Sequence, residues 1–346
     1  MDPPMFIAVH VGAGHLSRKK EKRYRSVCAR ACRRAMELLK QGESAVNAVS
    51  AAIAILEDDQ VTNAGYGSNL TLHASVECDA SLMDGQTAAF GAVAAVPGVR
   101  NPIQVCQEMV HENNRGLLAL GRIPPMMLCG SGAKEWAKQR GLATVVEKDQ
   151  ISSEAMDTYV TCMQMLQDAV KTQPATEEQD RNHDTVGAIC IDGCGNIASG
   201  VSSGGILLKS PGRIGEAAMF GSGCWAENKT SDGPGLACSV SGTGEQIVRS
   251  DVTRKLLDRL RHQDDLHAAM TQGLQRDFLD SPSLAVYDEK SVGLIALRWG
   301  KRLEFWYGHV TESMGVGYMS SASPGPKTLI SRKAPSMSVL SSGLII

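Results

Sequence analysis

Apolar and polar positions along this chain follow two periods in turn. Residues 5–14 form a short apolar run ending in glycines, the pattern of a buried strand entering a tight turn. Over 21–39 the apolar or small side chains fall at 24, 27, 28, 31, 35, 38 and 39, which is helical spacing, and 43–56 reads as a second helix. Runs at 76–83 and 87–96 read as two strands of a hairpin turning at Asp84-Gly85. Asn101-Pro102 then opens another helix, proline being favoured in the first turn.

From 150 a helical stretch runs to about 170 and gives way to Lys-Thr-Gln-Pro-Ala-Thr-Glu-Glu-Gln-Asp-Arg-Asn-His, residues 171–183. That polar composition is expected of an exposed, mobile linker over about 171–184. Strands follow at 185–191 and 196–203 around Asp192-Gly193, helices at 245–261 and 264–278, and strands at 292–298, 303–310 and 315–319. This order predicts an α+β fold: two facing sheets clad by helices, a four-layer αββα sandwich built as one domain over 1–346.

Composition narrows the function classes. A net charge of −2 offers no footprint for nucleic acid or another polyanion, and 43% hydrophobic residues with 35 glycines describe a globular chain rich in tight turns. No apolar run approaches the ~20 residues of a membrane span. The first ten residues lack a basic segment followed by an apolar one, so no signal peptide is expected and the expected location is intracellular. Of the ten cysteines, Cys28, Cys32, Cys106, Cys129, Cys162, Cys190 and Cys238 sit in apolar or amphipathic stretches and are expected to be buried free thiols. Cys190 and Cys194 have no second Cys/His pair at zinc spacing, so no metal site is expected.

The candidate chemistry lies at Asp184-Thr185, where the polar linker meets an apolar strand. Taken alone the pair marks a strand boundary. If the bond between them is cut, however, Thr185 gains a free α-amine beside its hydroxyl, and such an amine, with a reference pKa of roughly 7.7–8.0, is a general base suited to neutral pH.

Seven blocks occur in order around that pair: His10-Val-Gly-Ala-Gly14, Thr62-Asn-Ala-Gly-Tyr-Gly-Ser-Asn69, Cys78-Asp-Ala-Ser-Leu-Met-Asp-Gly85, Asp184-Thr-Val-Gly187, Val201-Ser-Ser-Gly-Gly205, Pro211-Gly-Arg-Ile-Gly215 and Ser241-Gly-Thr-Gly-Glu245. Together they resemble the asparaginase-type threonine hydrolases, N-terminal-nucleophile enzymes activated by self-cleavage. Arg122-Ile-Pro-Pro125, Gly221-Ser-Gly-Cys-Trp-Ala-Glu227 and His309-Val-Thr-Glu-Ser-Met-Gly-Val-Gly-Tyr-Met319 carry a closer resemblance to the taspases, threonine endopeptidases that cut proteins after aspartate.

The resemblance implies roles. Thr185 is the nucleophile after cleavage at Asp184-Thr185, and Ser203, eighteen residues on, holds its hydroxyl or amine; taken alone, Ser203 is a strand-end serine beside Gly204 and Gly205. Ser241 and Gly242 supply oxyanion donors with Asn63 close by, while Gly12, Arg213, Glu216 and Lys20 belong to substrate binding. Arg213 would grip a carboxylate bidentately. Lys20 also lies in Arg18-Lys-Lys-Glu-Lys-Arg-Tyr-Arg25, which alone reads as a solvated helix start or a weak nuclear-import patch.

Glu216 departs from both patterns the resemblance offers. Small-substrate asparaginases place an aspartate three residues after the arginine, where it meets the substrate's ammonium, and taspases place an uncharged amide. A glutamate there is either that ammonium partner or a local partner of Arg213. The expected activity is endopeptidase cleavage after Asp, with an L-asparaginase or isoaspartyl peptidase as the alternative. No metal or organic cofactor is implied. The implied state is a heterodimer of 1–184 and 185–346, itself able to pair, and the implied substrates are nuclear transcription regulators met in nucleus or cytoplasm.

Overall fold

The computed structural model describes residues 4–171 and 185–346. The first stretch contains β1 (Phe6–Gly14), α1 (Glu21–Lys40), α2 (Ala45–Glu57), β2 (Cys78–Asp84), β3 (Phe90–Val96), α3 (Pro102–Asn114), β4 (Met127–Cys129), α4 (Gly130–Gln139) and α5 (Ser153–Lys171). The second contains β5 (Val186–Ile191), β6 (Ile197–Ser203), β7 (Cys224–Glu227), β8 (Gly235–Gly242), α6 (Gly244–Ser250), α7 (Val252–His262) and α8 (Leu266–Gln272). It ends in β9 (Val292–Trp299), β10 (Leu303–His309), β11 (Ser313–Ser320), β12 (Lys327–Arg332) and β13 (Leu340–Ile345).

Two sheets form, one of eight strands in the order β12-β11-β1-β5-β6-β2-β3-β4 and one of five in the order β13-β10-β9-β8-β7. The alternation of side chains along a strand sets the layers. Ile7, Val9 and Val11 of β1 face Val27, Ala31, Val49 and Ile53 of α1 and α2, whereas Phe6 and Ala8 face the second sheet. Between the sheets Phe6 meets Phe305 with ring centroids 5.3 Å apart. On the far side Leu236, Cys238 and Val240 of β8 pack on Leu256, Leu260 and Phe278. The arrangement is helix, sheet, sheet, helix, the N-terminal-nucleophile hydrolase architecture.

Local signals place the helices as expected. The Ser44 hydroxyl caps α2 by accepting from the Asn47 N–H, and Pro102 occupies the first turn of α3. The β5–β6 turn is organised by Asp192, whose carboxylate accepts from the N–H groups of Cys194 and Asn196 and also from Ala45 at the start of α2.

Several expectations need correction. The helix expected over 245–261 breaks at Asp251, which adopts the left-handed conformation at φ 53° and divides α6 from α7. The helix expected over 264–278 passes from α8 into π-helical winding over Gly273–Leu279. The β2–β3 connection is longer than an Asp-Gly turn, because the Asp84 carboxylate gathers the Gln86 N–H, the Thr87 hydroxyl and the Asn114 amide. Strands β4, β7, β8, β12 and β13 and helix α4 were not expected. Cys129 is exposed and Cys162 half-buried, unlike the other five thiols expected to be buried. Of the linker expected over 171–184, only Lys171, the end of α5, falls within the described residues.

Candidate active site

Thr185 stands at the mouth of β5 and is only 2% exposed. Antiparallel pairing sets Val186 opposite Ser202, which brings Ser203 at the end of β6 to the same mouth. The Thr185 hydroxyl oxygen lies 3.0 Å from Ser203 Oγ and 3.2 Å from Glu216 Oε1. Among the described residues its one proton therefore has two oxygens within reach. Ser203 Oγ in turn accepts from the Gly205 N–H at 3.0 Å, so a backbone donor fixes the side chain beside the Thr185 hydroxyl.

Glu216 opens a short helical turn and is 3% exposed. Burial pushes its carboxyl up to about 7, against the opposing effect of the Arg213 charge. Arg213 gives its Nε and Nη2 edge to Glu245, at 2.8 Å to Oε1 and 2.5 Å to Oε2. Gly244 makes this cluster possible: a Cβ there would sit 2.7 Å from Glu216 Oε2 and 2.9 Å from Arg213 Nη2. The other end of the guanidinium faces Gly205, at φ +71°, whose added Cβ would lie 3.2 Å from Nη1.

Beneath these groups the buried Asp79 accepts from Gly215 N–H at 2.8 Å and from Ala95 N–H at 2.7 Å, pinning the 213–216 loop to the first sheet. Burial raises its pKa, and the charge of the buried Lys209 is the first influence opposing that. Lys209 Nζ donates to the Glu77 carbonyl at 2.5 Å. His10 Nε2 meets Ser239 Oγ at 2.9 Å, linking β1 to β8 beside Gly187 of β5, and burial lowers its pKa to about 3, so the imidazole is neutral.

Asn63 donates from Nδ2 to the Gly205 carbonyl at 2.9 Å, so Gly205 bridges it to Ser203. Ser241 Oγ accepts from Ala13 N–H at 3.0 Å, which leaves the hydroxyl proton for another acceptor, and Gly242 follows at φ +149°. Gly12, at φ +108°, lies in the irregular part of β1 between His10 and Ala13. Lys20 joins Glu154 of α5 at 2.8 Å; both line a small cleft with Thr62, Asn63, Asn69 and Thr158. Lys20 therefore shares a cleft with Asn63 while its ammonium is held by α5. Asp184 lies outside the described residues.

Sequence reasoning assigned no role to Glu245, Gly244, Asp79, Lys209 or His10. Four of these stand inside motifs already singled out: Glu245 and Gly244 close the Ser241 block, Asp79 follows Cys78 and His10 opens the first block. Lys209, two residues before Pro211, gave no signal.

A buried threonine at a strand mouth, with a serine and a glutamate on its hydroxyl, set in an αββα sandwich, is the arrangement of an N-terminal-nucleophile hydrolase. The asparaginase family model matches residues 3–320, and the chain belongs to that family. It is 33% identical to an isoaspartyl peptidase/L-asparaginase of Mus musculus over 74% of this chain and 73% of the relative. It is also 33% identical to an isoaspartyl peptidase of Escherichia coli (70% and 73% covered) and 34% identical to a plant-type L-asparaginase of Pyrobaculum calidifontis (78% and 84% covered). Among the described residues no helix is long and apolar enough to cross a membrane.

Proposed function

We propose that this chain is a self-activating amide hydrolase for aspartyl-type substrates: scission of Asp184–Thr185 frees Thr185 to attack a carbonyl two carbons removed from a carboxylate that Arg213 holds. The observation that carries this is the placement of the Thr185 hydroxyl between Ser203 and Glu216, with the Arg213 guanidinium beside them. The sheet order supports survival of the cut chain as an αβ pair, because β5 and β6 of the second unit insert between β1 and β2 of the first. The Ser241 hydroxyl and Gly242 N–H would receive the oxyanion.

Two substrate classes present that geometry. In asparagine or an isoaspartyl peptide the attacked carbonyl is in the side chain and the α-carboxylate goes to Arg213; in a protein the main-chain carbonyl of Asp is attacked and its side chain goes to Arg213. The names of the relatives favour the small substrates. The endopeptidase reading is favoured by Asp184, which makes the chain's own scissile bond an Asp bond, and by Glu216, which is engaged with Thr185. Under that reading the partners are aspartate-containing proteins, nuclear regulators by the taspase resemblance.

Intact-mass measurement of wild type beside Thr185→Ala tests the activation: two fragments in the former and a single 36.9 kDa chain in the latter are expected, and two fragments in both defeat the proposal. Turnover of asparagine, an isoaspartyl dipeptide and a peptide with an internal Asp-Gly bond then separates the two substrate classes.

A further inference from the structure

An uncut threonine of this kind lacks the base that serves it later. Before scission the nitrogen of Thr185 is a peptide amide, with no lone pair to take up the hydroxyl proton, so the first acyl transfer requires another acceptor. Among the described residues two oxygens lie within reach of that hydroxyl, Ser203 Oγ at 3.0 Å and Glu216 Oε1 at 3.2 Å. Ser203 is a neutral hydroxyl already accepting from the Gly205 N–H, and it cannot hold a second proton without becoming an oxonium. A carboxylate can.

We propose that Glu216 is the general base of the maturation step, taking the Thr185 hydroxyl proton so that Oγ1 attacks the Asp184 carbonyl. This rests on the reading above, that the chain cuts itself at Asp184–Thr185. The balance is complete within the chain. Oγ1 bonds to the Asp184 carbonyl carbon as its proton passes to Glu216; the C–N bond breaks and the proton goes to the Thr185 nitrogen. That leaves an ester, a free amine and a regenerated carboxylate, and water then cleaves the ester, with the new α-amine available as base.

The surroundings suit the role. Buried but not isolated, Glu216 has the Arg213 guanidinium on its own loop, Asp79 of β2 beneath, Glu245 of α6 bound to the far edge of that guanidinium, and Lys209 influencing Asp79. Burial brings its pKa to about 7, a basicity matched to work near neutrality while leaving a large ionised fraction there. Ammonium binding alone would call for no contact with the nucleophile.

The test follows disappearance of freshly synthesised full-length chain by intact mass from pH 5.5 to 8.5. Wild type is expected to convert at a rate that rises with pH and levels off through an inflection near neutrality. Glu216→Gln is expected to slow by roughly 10²-fold or more and to lose the inflection, and Glu216→Asp, which keeps a carboxylate, to recover part of the rate together with the inflection. Glu216→Gln converting at the wild-type rate with the wild-type profile overturns the proposal. So does full recovery of Glu216→Gln by hydroxylamine, which resolves an ester already formed and would show that ester formation did not need Glu216. Should Glu216→Gln fail to fold in a thermal melt, Glu216→Asp decides, since full-rate conversion without the inflection counts against the role. A wild type that stays uncut defeats the proposed function itself, an outcome distinct from all of these.

Discussion

Arg213 and Glu245 meet edge to edge, Nε on Oε1 and Nη2 on Oε2, with the arginine side chain 13% exposed and the glutamate 42% exposed. A guanidinium has a second donor edge, Nη1 with Nη2, and here Nη1 lies toward Gly205 beside Ser203. Glu245 therefore occupies one edge of the fork and leaves Nη1, toward Gly205, for the carboxylate that the proposed function assigns to Arg213.

Releasing that hold should affect binding more than chemistry. Glu245→Ala is expected to raise KM for a carboxylate-bearing substrate roughly tenfold, the loss of about one oriented charge-assisted hydrogen bond, with kcat within about threefold of wild type. Steady-state kinetics on whichever substrate proves active checks this. An unchanged KM would show that Arg213 needs no orienting partner.

Ser203 should act on kcat instead. Ser203→Ala removes the oxygen 3.0 Å from the Thr185 hydroxyl and leaves the buried Gly205 N–H without its acceptor. A lost buried hydrogen bond of about 1–3 kcal/mol corresponds to roughly a 5- to 150-fold fall in kcat, and Ser203→Thr, which keeps the hydroxyl, should retain most of the activity. Equal losses in the two variants would point to packing rather than to the hydroxyl.

The parts of this molecule legible in the sequence are those where one face or one short motif carries the information. The helix α1 shows its seam at 24, 27, 28, 31 and 35, and Ser203 is found because a tight turn at Asp192-Gly193 fixes its strand against the one that Thr185 opens. Strand β8 escaped because Gly-Leu-Ala-Cys-Ser-Val-Ser-Gly is buried on both faces and made largely of small residues, so it shows no alternation, although it sits between β7 and β9 in the second sheet. The edge strands β12 and β13 are only partly buried, and Lys327, Thr328 and Ser331 in one and Ser341, Ser342 and Gly343 in the other break up their apolar runs. Asp251 resembles any helix residue until its left-handed backbone divides α6 from α7. At the site, motif blocks single out Thr185, Arg213 and Glu216 as candidates, but no spacing rule reveals that Glu216 turns onto the Thr185 hydroxyl or that Glu245 comes back to Arg213 from a different element.

Gly244 tests how tightly the specificity cluster is packed. Gly244→Ala would place a methyl 2.7 Å from Glu216 Oε2, 2.9 Å from Arg213 Nη2 and 3.0 Å from the Glu216 backbone nitrogen. Because one of those neighbours is backbone, side-chain rotation alone does not relieve the contact. Overpacking of this kind costs about 1–3 kcal/mol, so a Tm lower by several degrees is expected, with a raised KM as Glu216 and Arg213 are driven apart. A variant with wild-type Tm and KM would contradict the packing described.

Glu57 gives the fold a pH dependence of known sign. It is the last residue of α2 and is fully buried; its Oε1 accepts from the Ser202 hydroxyl at 2.7 Å and from the Ile103 N–H at 3.1 Å. Burial raises its pKa from 4.5 to about 8, with those hydrogen bonds opposing the shift. The folded chain thus keeps this proton up to about pH 8, whereas an unfolded chain releases it near 4.5, so between those values unfolding liberates a proton and stability falls as pH rises. The slope approaches about 1.4 kcal/mol per pH unit for one proton. Glu216, raised to about 7, and Asp79, also raised by burial, act with the same sign, so the share of Glu57 is the difference between wild type and Glu57→Gln. Glu57→Gln cannot ionise and should lose less stability than wild type on going from pH 5 to 8, with the two curves still converging or crossing between 7 and 8. Urea unfolding at half-unit pH steps measures both curves, and parallel lines across that interval would mean that Glu57 is ionised in the folded protein.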